Sequence, residues 1–348
     1  MSGSDVSVQE GAAGAGAAIF GTAGPELLPQ ERDFFRDYNP FGFILFARNV
    51  EDPAQLSRLT AELREAVGRD APILIDQEGG RVQRMRAPHW REWLPPLDLI
   101  GRAASPEDAA RLMEIMARLI ASELRAVGID ANCAPVADVA RADTHPFLKN
   151  RCYGTGPEAV ARIARAVADG YLAGGVLPVM KHMPGHGLAR QDTHLELPRV
   201  TTSRAELAEV DFWPFTALAD LPMAMTAHIV FTEYDPLHPA TQSAEMVRVI
   251  RHEIGFKGLL MTDDLNMEAL SGSLDQRTSA SMQAGCDIAL HCKGDMRQMI
   301  EVARAAGDMT PAARSRALAA LACRTAPAPV DIPALEAEFQ ALSRGSAG

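Results

Sequence analysis

The sequence predicts a single-domain (β/α)₈ TIM barrel, an α/β fold. Three observations carry that expectation. Short apolar runs alternate with amphipathic helical stretches. Most of the runs are continuously apolar, and polar residues collect where the runs end. Continuous apolar runs fit strands covered on both faces, as in a parallel sheet. The runner-up is an open doubly wound sheet, but no GxGxxG follows the first run and no P-loop occurs in the chain.

Eight runs have strand character: Ala18–Gly21, Gly42–Phe46, Pro72–Asp76, Ala131–Val136, Leu177–Lys181, Met223–Thr226, Gly258–Thr262 and Asp287–His291. Helix punctuation lies between them. Asp52-Pro53 reads as an N-cap followed by an N1 proline, with Gly68 closing the stretch. Ser105-Pro106 opens a longer helix ending near Gly128, and its Leu112, Ile115, Met116, Leu119 and Ile120 form a core-facing stripe. Ser203 with Glu206 is a capping box. Ser243 opens another helix that Gly255 ends, and Thr310-Pro311 opens a late one. Residues 1–16, rich in Gly, Ala and Ser, are expected to fray. Residues 17–325 make the barrel, and 326–348 form a tail with a short helical pattern at Pro333–Leu342. At about 150 residues per domain a chain of 348 residues would make two, but α/β barrels of roughly 250 to 400 residues fold as one.

Composition narrows the function classes. The chain is 47% hydrophobic and 23% charged, a globular balance. A net charge of −11 argues against nucleic acid or an anionic membrane as partner, while leaving room for a local basic pocket. The five cysteines are odd in number and none forms a CxxC pair, which points to a reducing compartment. The N-terminal stretch lacks a basic, apolar leader pattern, and no apolar stretch reaches the roughly 20 residues of a membrane span. The expectation is a cytoplasmic protein.

Polar residues then mark the mouth of the expected barrel, the face on which such folds carry catalysis. Asp76 ends ILID, Lys181-His182 ends LPVMKH, His228 ends MAMTAH, Asp263-Asp264 ends LLMTDD, and His291 ends IALH. The densest stretch is Lys181-His182-Met183-Pro184-Gly185-His186-Gly187 followed by Asp192-Thr193-His194. Its proline and glycines make it a loop, and Asp192 is spaced to orient and charge-support the His194 imidazole for acid/base work. Asp76–Arg84 (DQEGGRVQR) is a second charged block, suited to a polyol or a carboxylate, and Arg151 is a third contributor.

Each has a plainer reading. Asp76 could cap a helix. Asp264 reads as structural, since adjacent side chains rarely reach one atom. His186 reads as a loop-holding residue, and His228 and His291 as histidines with satisfied partners. Arg151 could be a surface charge, Glu78 an arginine partner that positions its loop, and Cys133, Cys152, Cys286 and Cys292 small buried residues. A metallohydrolase is the sharper alternative. However, the first strand run ends Ile19-Phe20-Gly21 without a ligand, and Pro184-Gly185 breaks any helix between His182 and His186. Neither a metal nor a cofactor is expected.

The blocks together resemble a known family. KHMPGHG…DTH at 181–194 is similar to the KH[FM]PGHG…D[ST]H motif of family 3 glycoside hydrolases of the β-N-acetylglucosaminidase branch. DQEGGRVQR, NCAPVAD at Asn132–Asp138, MTAH at Met225–His228 and TDDL at Thr262–Leu265 match further blocks in the same order. Met183 and Thr193 stand where phenylalanine and serine are common. The resemblance implies a retaining exo-hydrolase with Asp263 as nucleophile and His194, paired with Asp192, as acid/base. It implies sugar binding by Asp76, Arg84, Arg151, Lys181 and His182. The short form resembles the bacterial cytoplasmic enzymes of cell-wall recycling. These remove N-acetylglucosamine from 1,6-anhydro-N-acetylmuramyl peptides, so a muropeptide or chitobiose-like sugar is the expected partner and a monomer the expected state. Three alternatives stand beside this: a glycoside phosphorylase on the same scaffold, a sugar-binding barrel without catalysis, and the metallohydrolase.

Overall fold

In a computed structural model the chain is described over residues 11–189 and 197–344. Eight parallel strands close into a barrel: β1 (Gly16–Gly21), β2 (Pro40–Leu45), β3 (Ile73–Ile75), β4 (Ala131–Asn132), β5 (Leu177–Met183), β6 (Met223–Thr226), β7 (Leu259–Asp264) and β8 (Ile288–His291). Each strand pairs with its neighbour in sequence, and β8 returns to β1. All eight runs read from the sequence are strands, and the doubly wound alternative is excluded by this closure. β1 begins two residues earlier than read, at Gly16, and Ala13 is already buried.

The barrel explains the unbroken apolar runs. Alternate residues of each strand point to opposite faces. Ile19, Leu74, Val179, Met223, Met261 and Leu290 fill the lumen. Phe20, Ile73, Ile75, Met180, Ala224 and Leu260 pack outward under the helices. Both faces are therefore dry, and no strand needs a polar side.

Helices α1 (Pro29–Tyr38), α2 (Pro53–Val67), α3 (Pro106–Ala126) and α4 (Pro157–Ala173) follow β1 to β4, and α5 (Trp213–Ala217), α6 (Ala244–Arg248), α7 (Leu274–Ala284) and α8 (Met296–Ala306) follow β5 to β8. Their ends obey the local signals. The Asp52 carboxylate accepts the Ala54 and Gln55 amides ahead of α2, and Gly68 closes that helix at φ 65°. Ser105 accepts the Asp108 amide at the start of α3, whose Leu112, Ile115, Met116, Leu119 and Ile120 are buried. Each such side chain contributes about 1.5–3 kcal/mol by leaving water. Beyond the eighth unit, α9 (Pro311–Ala322) turns Ala313, Ala317 and Ala320 into the base of the lumen, and small side chains let it seat closely. A last helix, α10 (Ile332–Ser343), lies on α3 and carries no buried residue.

Candidate active site

The C-terminal ends of the strands surround a concave, partly open cavity lined by polar and apolar side chains, the kind of place in which barrels of this type hold small molecules. Asp76, Arg84, Arg151, Lys181, His182 and Asp263 all line it, together with His145, His186, Phe147, Met225, Met267 and Cys292. Residues far apart in sequence are thus brought to one mouth by the closure of the sheet. Asp192 and His194 lie outside the described residues.

The polar wall is an ion-pair network. Lys181 ends up fully buried because it belongs to β5, and its ammonium bridges two carboxylates: Asp76 Oδ1 at 3.0 Å and Glu78 Oε1 at 2.5 Å. The other Asp76 oxygen accepts from Arg84 at 3.0 Å. Arg151 donates both arms of its fork to Glu78, each at 2.8 Å, the strong bidentate geometry of guanidinium and carboxylate. Burial alone would push both carboxyls up. Instead Lys181 and Arg84 hold Asp76 well below the usual carboxylate range, and Arg151 and Lys181 bring Glu78 down to about 2. Burial works against the charge of Lys181 and Arg151 too, but the same carboxylates keep both charged. The surface reading of Arg151 therefore fails, and the reading of Glu78 as an arginine partner holds.

Local backbone makes this packing feasible. Gly79 and Gly80 adopt φ 104° and 58° and fold the chain back so that Val82 bridges to Gly79. A side chain at Gly79 would strike Met116 and Trp93. At the other loop, a side chain on Gly187 would collide with the Val139 carbonyl oxygen.

His182 follows Lys181 through a cis peptide bond. Its Nδ1 lies 2.7 Å from Asp138 Oδ2, and its Nε2 lies 3.4 Å from the Arg151 guanidinium. His186 is held by its backbone amide, which donates to Asp138 Oδ1 at 2.7 Å. Its ring stands 5.2 Å from that of His182, its buried Nδ1 has no partner among the described residues, and burial brings its pKa down to about 3. Among the described residues, the loop-holding hydrogen bond of His186 is the one its backbone amide makes.

Asp263 sits near the end of β7. Burial raises its carboxyl, but the His228 and His182 rings, the Asp264 amide and Lys181 outweigh that and leave it below the ordinary value. The Asp264 amide donates to its Oδ1 at 2.8 Å. Asp264 points elsewhere: its Oδ1 accepts the Asn266 and Cys292 amides at 3.1 and 3.2 Å. It is structural, as read. His228 is also satisfied, by Thr241 and the Asp264 carbonyl. His291 departs from the expectation. Neither ring nitrogen makes a hydrogen bond of good geometry, its ring lies edge-on to Phe20, and burial lowers its pKa to about 4. Cys292 departs as well, being only partly buried and lining the cavity.

Two contributors had no signal of their own. Asp138 lay within the NCAPVAD block but was assigned nothing, because its partners are 44 and 48 residues on. Phe147, stacked under the Arg81 guanidinium at the cavity edge, looked like an ordinary loop residue. Among the described residues, no three or more His, Cys, Asp or Glu side chains converge as a metal would require.

The sequence profile of the glycosyl hydrolase family 3 N-terminal domain matches residues 27–318. The chain is 39% identical to a beta-hexosaminidase of Alkalilimnicola ehrlichii over 282 residues, 80% of either chain. It is 38% identical to a beta-hexosaminidase of Stenotrophomonas maltophilia over 285 residues, 80% of this chain and 84% of that one. Among solved structures it resembles native NagZ from Neisseria gonorrhoeae, with a TM-score of 0.80 and 30% identity over 95% of this chain and 96% of that one. It also resembles a glycoside hydrolase family 3 beta-N-acetylglucosaminidase from a Paenibacillus species, with a TM-score of 0.79 and 29% identity. That match covers 98% of this chain and 64% of the longer Paenibacillus chain.

Proposed function

The chain belongs to glycosyl hydrolase family 3 and is a glycoside hydrolase, and from that premise we propose that it is a retaining exo-β-N-acetylglucosaminidase. Its substrates are terminal β-linked N-acetylglucosamine units, above all those of N-acetylglucosaminyl-1,6-anhydro-N-acetylmuramyl peptides. The observation that carries the reading is Asp263, a half-buried carboxylate at the cavity whose neighbours hold it below the ordinary carboxylate range and so favour its charged form. A nucleophile must be ionised before it can attack.

In the first step one Asp263 oxygen attacks the anomeric carbon, and the glycosidic bond breaks toward the leaving oxygen. The protonated His194 imidazole donates a proton to that oxygen, supported by Asp192. In the second step the now neutral His194 takes a proton from water. The hydroxide attacks the anomeric carbon, and Asp263 departs as carboxylate. Asp76, Arg84, Arg151, Lys181 and His182 bind the sugar hydroxyls. Their charged pairs are already formed, so substrate meets a wall that needs little reorganisation.

We place the enzyme in the cytoplasm, acting as a monomer. The five cysteines are all free and three are buried, which fits a reducing compartment. No described helix is long and apolar enough to cross a membrane.

The test is release of nitrophenol from p-nitrophenyl β-N-acetylglucosaminide. Wild type should turn over, and Asp263→Ala should lose at least about 10⁴-fold in kcat, as removal of a covalent nucleophile does. His194→Ala should be strongly slowed. A folded wild type that releases nothing would sink the reading. Running the assay with added phosphate separates the phosphorylase alternative, which would yield N-acetylglucosamine 1-phosphate in place of the free sugar.

A further inference from the structure

Asp138 is fully buried between the two pocket histidines, yet it does not line the cavity. It reaches this place by extending the ladder between β4 and β5. Lys181 donates its amide to the Pro135 carbonyl at 3.0 Å, and Ala137 donates to the Lys181 carbonyl at 2.8 Å. One residue further along each chain, Asp138 meets His182. Its Oδ1 accepts the amides of His182 at 3.2 Å and His186 at 2.7 Å, and its Oδ2 faces His182 Nδ1 at 2.7 Å. A single carboxylate therefore gathers the end of β5 and the start of the loop that leads to residues 190–196.

We infer that Asp138 is a positioning residue of the hydrolase: it sets the tautomer of His182 and so determines what the ring presents to the sugar. The inference rests on the function proposed above. A carboxylate can only accept, so His182 Nδ1 must carry the hydrogen that faces it. Nε2 is then turned toward the cavity wall. Its neighbour there, the Arg151 guanidinium at 3.4 Å, can only donate, which agrees with a lone pair at Nε2. Arg151 is in turn locked to Glu78 by both arms. Along Glu78, Arg151, His182 and Asp138 the direction of each bond is thereby fixed: Arg151 donates to Glu78 on one side and to His182 on the other, and His182 donates to Asp138.

An asparagine at 138 would break that direction while keeping the shape. Its carbonyl oxygen would stay on the two backbone amides, because turning the NH₂ toward them would set donor against donor. The NH₂ would then face His182 Nδ1 and require a lone pair there. The ring hydrogen would move to Nε2, where it confronts the Arg151 N–H. The Arg151 contact with His182 would be lost, and with it the arrangement of these two side chains on the cavity wall that the sugar meets.

The experiment has two arms. The first is ¹⁵N NMR of the imidazole nitrogens, with His182 assigned by comparison with His182→Gln. Wild type should show the hydrogen on Nδ1, and Asp138→Asn should show it on Nε2. The second is kinetics on p-nitrophenyl β-N-acetylglucosaminide for Asp138→Asn, His182→Gln and the double variant. Asp138→Asn should lose about 10- to 100-fold in kcat/KM, the cost typical of removing the partner that orients a histidine. The double variant should be no worse than His182→Gln alone, because both changes act through one ring. Losses that multiply in the double variant, or an unchanged tautomer in a folded Asp138→Asn, would overturn the inference. Wild-type inactivity would instead remove the proposed function. The tautomer arm reads the geometry whether or not the substrate is cleaved.

Discussion

The two ends of the barrel carry the same kind of charge chemistry and use it differently. At the base, Asp130 accepts from Arg64 and Arg324, and Asp287 accepts from Arg251 and Arg316. Each of these carboxylates also accepts a strand amide, that of Ile73 for Asp130 and of Leu260 for Asp287. Arg316 lies on α9, so the Asp287 cluster ties the start of β7 to the helix that plugs the lumen, and Arg324, just past the end of that helix, ties the start of β3 through Asp130. Every oxygen is used by the protein itself. At the mouth, Asp76 and Glu78 meet Lys181, Arg84 and Arg151, but Asp76 accepts no backbone amide among the described residues and opens on the cavity. Beside it stand His186 Nδ1, buried and without a partner among the described residues, and Asp263, held below the ordinary carboxylate range. A buried ion pair is weak evidence of stabilisation and strong evidence that something must remain paired. At the base the partner is the fold. At the mouth, donor and acceptor capacity is left over for a ligand.

The sharpest way to break this comparison is Asp287→Ala. It strands two arginines and one strand amide, at a cost of about 3–5 kcal/mol. Thermal unfolding should show Tm lower by on the order of 10 °C, with kcat/KM unchanged. A loss of activity in the fraction that remains folded would mean that the base also shapes the site.

Lys181→Met should do the reverse. Asp76 keeps Arg84 and Glu78 keeps Arg151, so Tm should fall less than in Asp287→Ala. The substrate loses a charge-assisted hydrogen bond worth about 1.5–3 kcal/mol, or roughly 10- to 100-fold in kcat/KM. An equal drop in Tm with intact kinetics would make the mouth cluster a second structural staple.

The smallest effect concerns Asp264. Burial raises its carboxyl from the ordinary 3.8 to about 6, against the pull of the Asn266 and Cys292 amides. A raised acid contributes its stability fully below the unfolded value and loses it as pH rises through the folded one. Wild type should therefore lose stability between about pH 4 and pH 6 from this group. Asp264→Asn keeps the oxygen that both amides use and escapes the penalty. The Tm difference between the two proteins should shift in favour of asparagine across that window and level off above it. A difference that stays flat with pH would show that Asp264 is not charged at a cost in the folded chain.

Much of the fold was legible because its signals are local. The eight apolar runs became the eight strands, and Asp52, Gly68, Ser105 and Thr310 cap the helices they were read to cap. The motif residues at the strand ends do line one cavity. The misses are of another kind. His291 looked like any mouth histidine but lies dry against Phe20, and Asp138 carried no mark of its link to His182. Nothing within a few residues of either position records its environment.

The sequence by itself determined where the chain would be strand or helix, since period and capping act over three or four residues. It also determined that charged side chains would stand at strand ends, and so on the mouth of a barrel. Only the tertiary structure decided which charge met which. Lys181 finds Asp76 across 105 residues and Arg316 finds Asp287 across 29, because closing the sheet sets strand ends side by side regardless of their separation along the chain. Burial then did the rest. Away from water each carboxylate needed a cation or an amide, and Asp263, whose described hydrogen bond is to the neighbouring Asp264 amide, faces the cavity together with Asp76.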